Sequence, residues 1–342
     1  MLENTKNFFK TKINSFVCWC LGYIAKDTDD VRQYKHLTKL KFHSRTPLRD
    51  QIILVDYSDV TFGLADRFIG ILSLYMFAKE TNRKIKIHHT CDFLLQDYLI
   101  PNKTDWHIKE EEIAYGINEC RLLIARLGQN KLKHSGLPKL SNEILQYHAY
   151  SNHDFRNYLQ TNQLNKYDRH VLFHELFKPS AYLELLLQSI EADFLQTPYL
   201  AVHLRFMNFF EQVERNTING HIREEEQQQR MINLCKKQLE EIHHQFPNNI
   251  ILLFTDSQFF SSLQFPSYIK SLPGKVGHIS SNHKHKSDVI DKTFIDLFIM
   301  SRATHVINII GKNLRKSGFS KIAAEIGGIS YITMSIDDSD II

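Results

Sequence analysis

The chain has 342 residues, of which 43% are hydrophobic and 23% charged, with 13 Gly and 8 Pro; this composition excludes disordered, collagen-like and disulfide-scaffold proteins. The 42 Lys and Arg against 38 Asp and Glu leave a net charge of +4, too small to indicate a nucleic-acid partner. Five scattered cysteines favour a reducing compartment, so we expect a cytoplasmic protein.

The N-terminal segment, residues 1–30, is predicted to be an amphipathic helix. Apolar residues from Phe9 to Ile24 recur at helical spacing with lysines beside them. The apolar run from Phe16 to Ala25 is shorter than the roughly 20 residues that a membrane-spanning helix needs. The helix is expected either to lie on the inner face of the membrane through residues 1–26 or to pack on its own domain.

The next segment predicts one unit of a parallel sheet. Residues 51–56 form a short, apolar and β-branched strand, Gly63 interrupts it, 65–81 have helical periodicity, and 84–88 alternate as a second strand. Residues 91–169 are less regular, with mixed short helices and many polar residues, and no order of elements is predicted there. A helix is predicted from Pro179 to about residue 194, with Tyr182, Leu183, Leu185, Leu186 and Ile190 as its apolar face.

The second half alternates between strand and helix several times. Strands are predicted at 199–204, 250–255, 304–310 and 329–334, with helices at 224–244, 287–302 and 318–327 and a weaker helix and strand before residue 279. Such alternation predicts a doubly wound, Rossmann-like α/β domain. We therefore expect an N-terminal lobe over residues 31–178 and a C-terminal lobe over 179–342.

Ligands of open parallel sheets bind at the carboxyl ends of the strands, where this sequence places several polar residues. Arg205, two residues after His203, suits a phosphate because its planar guanidinium donates two parallel hydrogen bonds. Asp256 follows the next strand and either accepts bonds from a nucleoside or caps a helix. Ser317 opens the helix at 318–327, where free amides and the helix dipole suit an anion, although an N-cap also explains it.

Other motifs exclude several classes of protein. Gly63 allows a tight turn after the first strand, but neither a dinucleotide-binding glycine motif nor a P-loop is present. There is no serine-hydrolase nucleophile elbow. The histidine and cysteine spacings do not match a structural zinc site, and we expect no metal.

Five segments, taken in order, resemble the superfamily of α1,2-, α1,6- and protein O-fucosyltransferases. They are GLADRFIGILS at residues 63–73, HLR at 203–205, TDS at 255–257, and DLFIMSR at 296–302 followed by SGFSKIAA at 317–324. The resemblance implies a GT-B fold, with two Rossmann-like lobes facing a central cleft and GDP-fucose held by the C-terminal lobe.

The resemblance also implies roles for individual residues. Arg205 would bind the β-phosphate and act in catalysis, and His203 and Asp256, with Ser257 beside it, would bind the guanosine part. The diphosphate would lie on the helix start formed by Ser317, Gly318, Phe319 and Ser320. Gly63 and Arg67 belong to the glycine loop of the first motif.

The sequence departs from the family pattern at two places. Phe206, Met207 and Asn208 follow Arg205, so a second arginine and an acid are missing, and Asp66 replaces an asparagine. Asp66 is either a general base toward the acceptor hydroxyl or a carboxylate that repels the diphosphate and alters donor use. Glu211 is a second candidate base.

The function expected from the sequence is an inverting, metal-independent transfer of fucose from GDP-fucose to a glycan hydroxyl, in a surface polysaccharide or oligosaccharide precursor. The partners are then a nucleotide sugar and a glycan acceptor, without a further cofactor. Two alternatives stay open: the same fold with another nucleotide-sugar donor, and a nucleotide- or glycan-binding protein without turnover.

Overall fold

The computed structural model of the chain describes residues 46–58, 63–115, 119–123, 140–152, 154–155, 167–194, 197–213, 222–277 and 287–337. The predicted helix at 1–30 lies outside these ranges. No helix within them has the length and apolar character needed to cross a bilayer.

Strands and helices alternate along much of the chain. The strands are β1 (Ile52–Tyr57), β2 (Lys84–His89), β3 (Leu99–Pro101), β4 (Cys120–Leu122), β5 (Gln146–Ala149), β6 (Phe177–Pro179), β7 (Tyr199–Leu204), β8 (Ile250–Thr255), β9 (Ile269–Ser271), β10 (His305–Ile310) and β11 (Ser330–Ser335). The helices are α1 (Leu64–Glu80), α2 (Leu95–Tyr98), α3 (Arg169–Leu176), α4 (Ala181–Phe194), α5 (Glu225–Gln245), α6 (Gln258–Ser261), α7 (Ser287–Ser301) and α8 (Gly318–Gly327).

The chain divides into two compact units. The first comprises Met1–Ser58, Gly70–His89 and Asp105–Lys166, and the second comprises Asp59–Ile69, Thr90–Thr104 and Tyr167–Ile342. Each unit therefore draws on separate stretches of sequence. The predicted lobes at 31–178 and 179–342 stay a prediction.

The first unit contains a parallel sheet with strand order β2-β1-β5-β4. β1 lies inside this sheet, and Ile52, Ile53, Leu54 and Val55 are fully buried. Burial on both faces explains why β1 is a continuous apolar run rather than an alternating one. The predicted strands and the helix at 65–81 are confirmed to within one residue at each end.

The second unit contains a five-stranded parallel sheet with the order β11-β10-β7-β8-β9. β7 is central and buried along its whole length. On α5 the buried residues Met231, Cys235, Leu239 and Ile242 recur every three or four positions and join the core formed with β7 and β8. The helix at 318–327 and the strands at 199–204 and 250–255 have the predicted bounds.

The predicted start of α4 at Pro179 is wrong. Phe177–Pro179 forms β6, which pairs antiparallel with Leu99–Pro101. The helix begins at Ala181 because the Ser180 Oγ accepts a hydrogen bond from the backbone N–H of Leu183 at 3.2 Å and so caps it.

The predicted apolar face of α4 is also partly wrong. Tyr182 and Leu185 are 46% and 68% exposed, whereas Leu183, Leu187 and Ile190 form the buried face. The helix carries apolar side chains on several of its sides. The sequence pattern by itself therefore did not identify the side that packs against the core.

Candidate functional site

A cavity of about 320 Å³ opens at the carboxyl ends of the second unit's strands. Residues following β7 and β8 and the first residues of α8 line it, together with the start of α1 and one side of α7. All of these segments belong to the second unit. The cavity therefore lies at the sheet edge where open α/β sheets bind ligands.

Arg205 follows the central strand directly and lines the cavity. β7 pairs with β10 on one side and β8 on the other, so the strand end is held from both sides. The Arg205 carbonyl accepts a hydrogen bond from the backbone N–H of Arg315 at 3.0 Å, which ties the turn to the loop before α8. The backbone that carries this guanidinium is thus fixed by two strands and one loop.

His203 is buried beside Arg205 in the cavity wall. Burial, and to a smaller extent the positive charge of Arg205, lower the pKa of His203 to about 3, so its imidazole is neutral at pH 7. Its buried Nδ1 has no hydrogen-bond partner within the described part of the chain. A neutral ring with a free nitrogen can donate to or accept from a polar ligand group.

Asp256 lies at the end of β8 and also lines the cavity. Its two carboxylate oxygens accept hydrogen bonds from the backbone N–H groups of Phe206 at 2.7 Å and Met207 at 2.9 Å. Burial raises the pKa of Asp256 to about 6, although these two amides lower it. Asp256 therefore holds the turn that follows Arg205, in addition to facing the cavity.

The α8 N-terminus forms another wall of the cavity through Ser317, Gly318 and Phe319. The Ser317 Oγ caps the helix by accepting from the Phe319 N–H at 3.2 Å. The remaining first-turn amides of a helix are available to an anion, which the helix dipole also favours. Ser320 is buried behind this turn and does not line the cavity.

Asn308 connects the end of β7 with the start of α8 and was not predicted from the sequence. It is fully buried in β10, where its Nδ2 donates to the His203 carbonyl at 3.1 Å and its Oδ1 accepts from the Ser317 N–H at 3.0 Å. These bonds position the end of β7 against the start of α8. A lone amide in the apolar run of β10 was the available sequence signal.

Some residues of the first motif segment, 63–73, line the cavity and others lie in the protein interior. Gly63 and Asp66 line the cavity. Arg67 is 1% exposed and does not; it pairs with the carboxylate of Asp92 and donates to the Cys91 carbonyl at 3.2 Å. The structure thus places Arg67 in a buried ion pair.

Ser257 and Glu211 lie outside the cavity lining and bond to each other. The Ser257 Oγ donates to Glu211 Oε1 at 2.8 Å and accepts from the Phe260 N–H at 3.0 Å, so it caps α6. The same Glu211 oxygen accepts from the Phe259 N–H at 2.9 Å. Both side chains stabilise the start of this short helix.

Helix α7 was not predicted to supply site residues, although residues 296–302 in and after its second half belong to a motif. Lys292 and Asp296 form an ion pair in the cavity wall, one helical turn apart. Two oppositely charged residues four positions apart on one helix were the available signal. Within the described ranges, no group of three or more His, Cys, Asp or Glu side chains is arranged to hold a metal ion.

Comparisons with known proteins identify the fold. No protein-family model and no curated protein sequence matches the chain. The fucosyltransferase NodZ from Bradyrhizobium is 12% identical, with 80% of this chain and 92% of that one covered and a TM-score of 0.50. NodZ alpha-1,6-fucosyltransferase co-crystallised with GDP is 11% identical, with 80% of this chain and 92% of that one covered and a TM-score of 0.50.

A point mutant of Arabidopsis thaliana FUT1 in complex with GDP is also similar. It is 10% identical, with 88% of this chain and 73% of that one covered and a TM-score of 0.50. At such low identity the likeness concerns the fold. The predicted α/β, GT-B-like fold class is confirmed, and these three similar structures are those of fucosyltransferases.

Proposed function

We propose that the chain is a glycosyltransferase that transfers fucose from GDP-fucose to a glycan hydroxyl, with inversion and without a metal ion. The observation that carries the proposal is the cavity at the carboxyl ends of β7 and β8, where Arg205 and the α8 N-terminus line one space. Two of the structurally similar fucosyltransferases were crystallised with GDP. A nucleoside diphosphate sugar is therefore the ligand class that we assign to this cavity.

The charge distribution of the cavity suits a departing nucleoside diphosphate. As the glycosidic bond breaks, negative charge grows on the diphosphate oxygens, and a fixed guanidinium with helix-end amides stabilises that charge most in the transition state. Asn308 holds both elements in register, since it bonds to the His203 carbonyl and the Ser317 amide. The protein then needs little reorganisation during the reaction.

The acceptor hydroxyl needs a base, and Asp66 is the carboxylate that we assign to this role. Asp66 lines the cavity beside Gly63, whereas Glu211 already accepts bonds from Ser257 and Phe259. We propose that the acceptor is a surface polysaccharide or oligosaccharide precursor in the cytoplasm. We also propose that the protein contacts the membrane through residues 1–26.

Ligand-induced thermal shift tests the donor assignment. The purified chain is melted with GDP-fucose, GDP, GDP-mannose, UDP-sugars or buffer, in the presence of EDTA. A ligand that binds only the folded chain raises the melting temperature, and we expect this for GDP and GDP-fucose. A shift only with UDP-sugars would transfer the proposal to another donor, and no shift with any guanosine nucleotide would overturn it.

Arg205→Ala tests the catalytic assignment. Loss of one preorganised donor in a comparable site costs about 100- to 1000-fold in rate, so we expect a decrease of that size in GDP release with acceptor. Arg205→Lys keeps the charge without the planar fork and should recover part of the rate. The matched control is Arg230→Ala, whose guanidinium is 58% exposed and pairs with Glu226 on α5. Equal rates for Arg205→Ala and the native chain would contradict the assignment.

A further inference from the structure

The charged side chains that line the cavity do not by themselves attract an anion from solution. Two of them are basic, Arg205 and Lys292, and three are acidic, Asp66, Asp256 and Asp296. Lys292 is moreover paired with Asp296. A nucleoside diphosphate sugar is an anion, so a lining with an excess of carboxylates repels it at a distance. Positive charge outside the lining would reverse the sign of this field.

The loop between β10 and α8, together with the first turn of α8, supplies such charge. Residues 311–324 contain four Lys or Arg and no Asp or Glu. All four basic residues are exposed. Three of them form no ion pair within the described part of the chain, and we call these three the basic rim: Arg315, Lys316 and Lys321.

Two residues of the basic rim break the usual preferences at the start of a helix. Ser317 is the N-cap of α8, so Lys316 comes just before the cap and Lys321 is the fourth helical residue. Side chains at these two positions commonly touch and are favoured when apolar. Two lysines instead repel each other and the positive end of the helix dipole. Local conflicts of this kind are typical of places where function requires the residues.

Other long helices of the chain follow the usual charge preference. Helices α1, α5 and α7 each carry an acidic residue in the first turn, whereas α8 has none there. Acidic residues near a helix start are stabilising because they complement the dipole. The start of α8 is therefore more positive than helix stability alone would favour.

The basic rim adjoins the cavity without lining it. The Arg315 N–H donates to the Arg205 carbonyl at 3.0 Å, and Ser317, which follows Lys316, lines the cavity. The three side chains of the basic rim are not part of that lining. Their charges therefore act through space on an approaching ligand, rather than by contact with a ligand inside the cavity.

We propose that the basic rim steers the anionic donor nucleotide toward the cavity and sets its association rate. This inference rests on the proposed function, because it assumes that a nucleoside diphosphate sugar is the ligand. Fields of one sign around a binding cleft raise association rates by about 10- to 1000-fold. Charges at the edge of a binding site change the association rate and its salt dependence more than the dissociation rate.

A triple variant, Arg315→Gln with Lys316→Gln and Lys321→Gln, tests the proposal. Stopped-flow fluorescence on the full chain would measure association and dissociation of GDP labelled on the ribose. Salt screens charges over a Debye length of about 30 Å at about 0.01 M and about 3 Å at about 1 M. We expect the variant to associate about 10-fold more slowly at the lower salt concentration. The two proteins should associate equally fast at the higher one, and the dissociation rate should not change.

A control variant removes the same charge from other surfaces. It combines Lys84→Gln, Arg230→Gln and Lys237→Gln, whose side chains are 66%, 58% and 74% exposed and do not line the cavity. We expect its association rate to equal that of the native chain at both salt concentrations. The melting temperature of the triple variant of the basic rim should be no lower than that of the native chain, since the substitutions remove cations from a helix start.

The outcomes separate this inference from the function on which it rests. Equal association rates of the rim variant and the native chain at low salt would overturn the inference and leave the proposed function standing. Faster dissociation as the main effect would overturn it in favour of direct contact with the bound nucleotide. Equal slowing in the control variant would overturn it in favour of net charge alone. Failure of the native chain to bind the labelled GDP would overturn both.

Discussion

The start of α1 and the turn after β7 each carry an arginine close to residues that line the cavity, yet the surroundings of the two guanidinium groups differ. Arg67 is 1% exposed, pairs with Asp92 and lies 5.5 Å from the Phe93 ring centroid. Arg205 faces the cavity. Asp92, 25 residues farther along the chain, supplies the carboxylate that pairs with Arg67. Because of this ion pair, Arg67 is part of the core.

Two glycines of the motif segments, Gly70 in α1 and Gly318 at the start of α8, differ in the same way. A Cβ added at Gly70 would lie 1.6 Å from the Ser151 carbonyl oxygen, whereas one added at Gly318 would meet its nearest atom at 3.9 Å. Gly70 therefore allows close packing of the backbone, and Gly318 lies beside open space. Motif residues of one type therefore either pack in the interior or line the cavity, depending on their neighbours.

The largest expected effect is that of Arg67→Ala. Removing one partner of a buried ion pair leaves an uncompensated charge and costs about 3 to 5 kcal/mol of unfolding free energy. Urea denaturation measures this loss. The control is Arg302→Ala, since Arg302 and its partner Glu191 are each 37% exposed and such pairs contribute at most about 1 kcal/mol. Similar losses in the two variants would break the distinction between core and surface arginines.

The second effect is a pH dependence caused by Asp256, which holds the turn after β7. Its pKa is raised from 3.8 to about 6 in the folded chain, so the folded state binds this proton more tightly than the unfolded state does. The unfolding free energy should therefore fall as pH rises from about 4 to 6, by about 3 kcal/mol from this group.

The control for this pH dependence is Asp256→Asn, which has no carboxyl to titrate. We expect its unfolding free energy to vary less with pH than that of the native chain over the same range. Urea denaturation at pH 4, 5, 6 and 7 gives the difference. Parallel curves for the two proteins would show that Asp256 does not titrate in this range.

The smallest effect is expected from Gly70→Ala. Alanine favours a helix over glycine by about 1 kcal/mol, but the clash with the Ser151 backbone forces a shift that costs roughly 1 to 3 kcal/mol. We therefore expect a net loss in thermal stability. Gly318→Ala should change stability by less than about 0.5 kcal/mol, and an equal loss at both glycines would contradict the packing difference.

Much of the fold could be predicted because the signal for each element is local. The apolar runs at 199–204 and 250–255 are strands buried on both faces, and the periodicity of 318–327 is that of a helix with one buried side. The start of α4 was not predictable in this way. Pairing of Phe177–Pro179 with Leu99–Pro101 depends on a strand far away in the sequence.

The site was predictable to the extent that strand ends determine it. His203, Arg205, Asp256 and Ser317 follow or end parallel strands, so the topology alone brings them to one edge. The contacts of Glu211 with Ser257 and Phe259, and the place of Lys292 in the cavity wall, had no such signal.

The sequence by itself determined the alternation of strands and helices, and with it the α/β class and the sheet edge at which the cavity lies, because hydrophobic periodicity is a local property of the chain. Only the tertiary structure decided which polar side chains at that edge face the cavity. The Arg67–Asp92 ion pair lies outside the cavity lining, whereas the Lys292–Asp296 ion pair lies in the cavity wall. The burial of a polar side chain and the residue with which it pairs depend on loops and helices that folding brings together. A local sequence pattern does not predict either one.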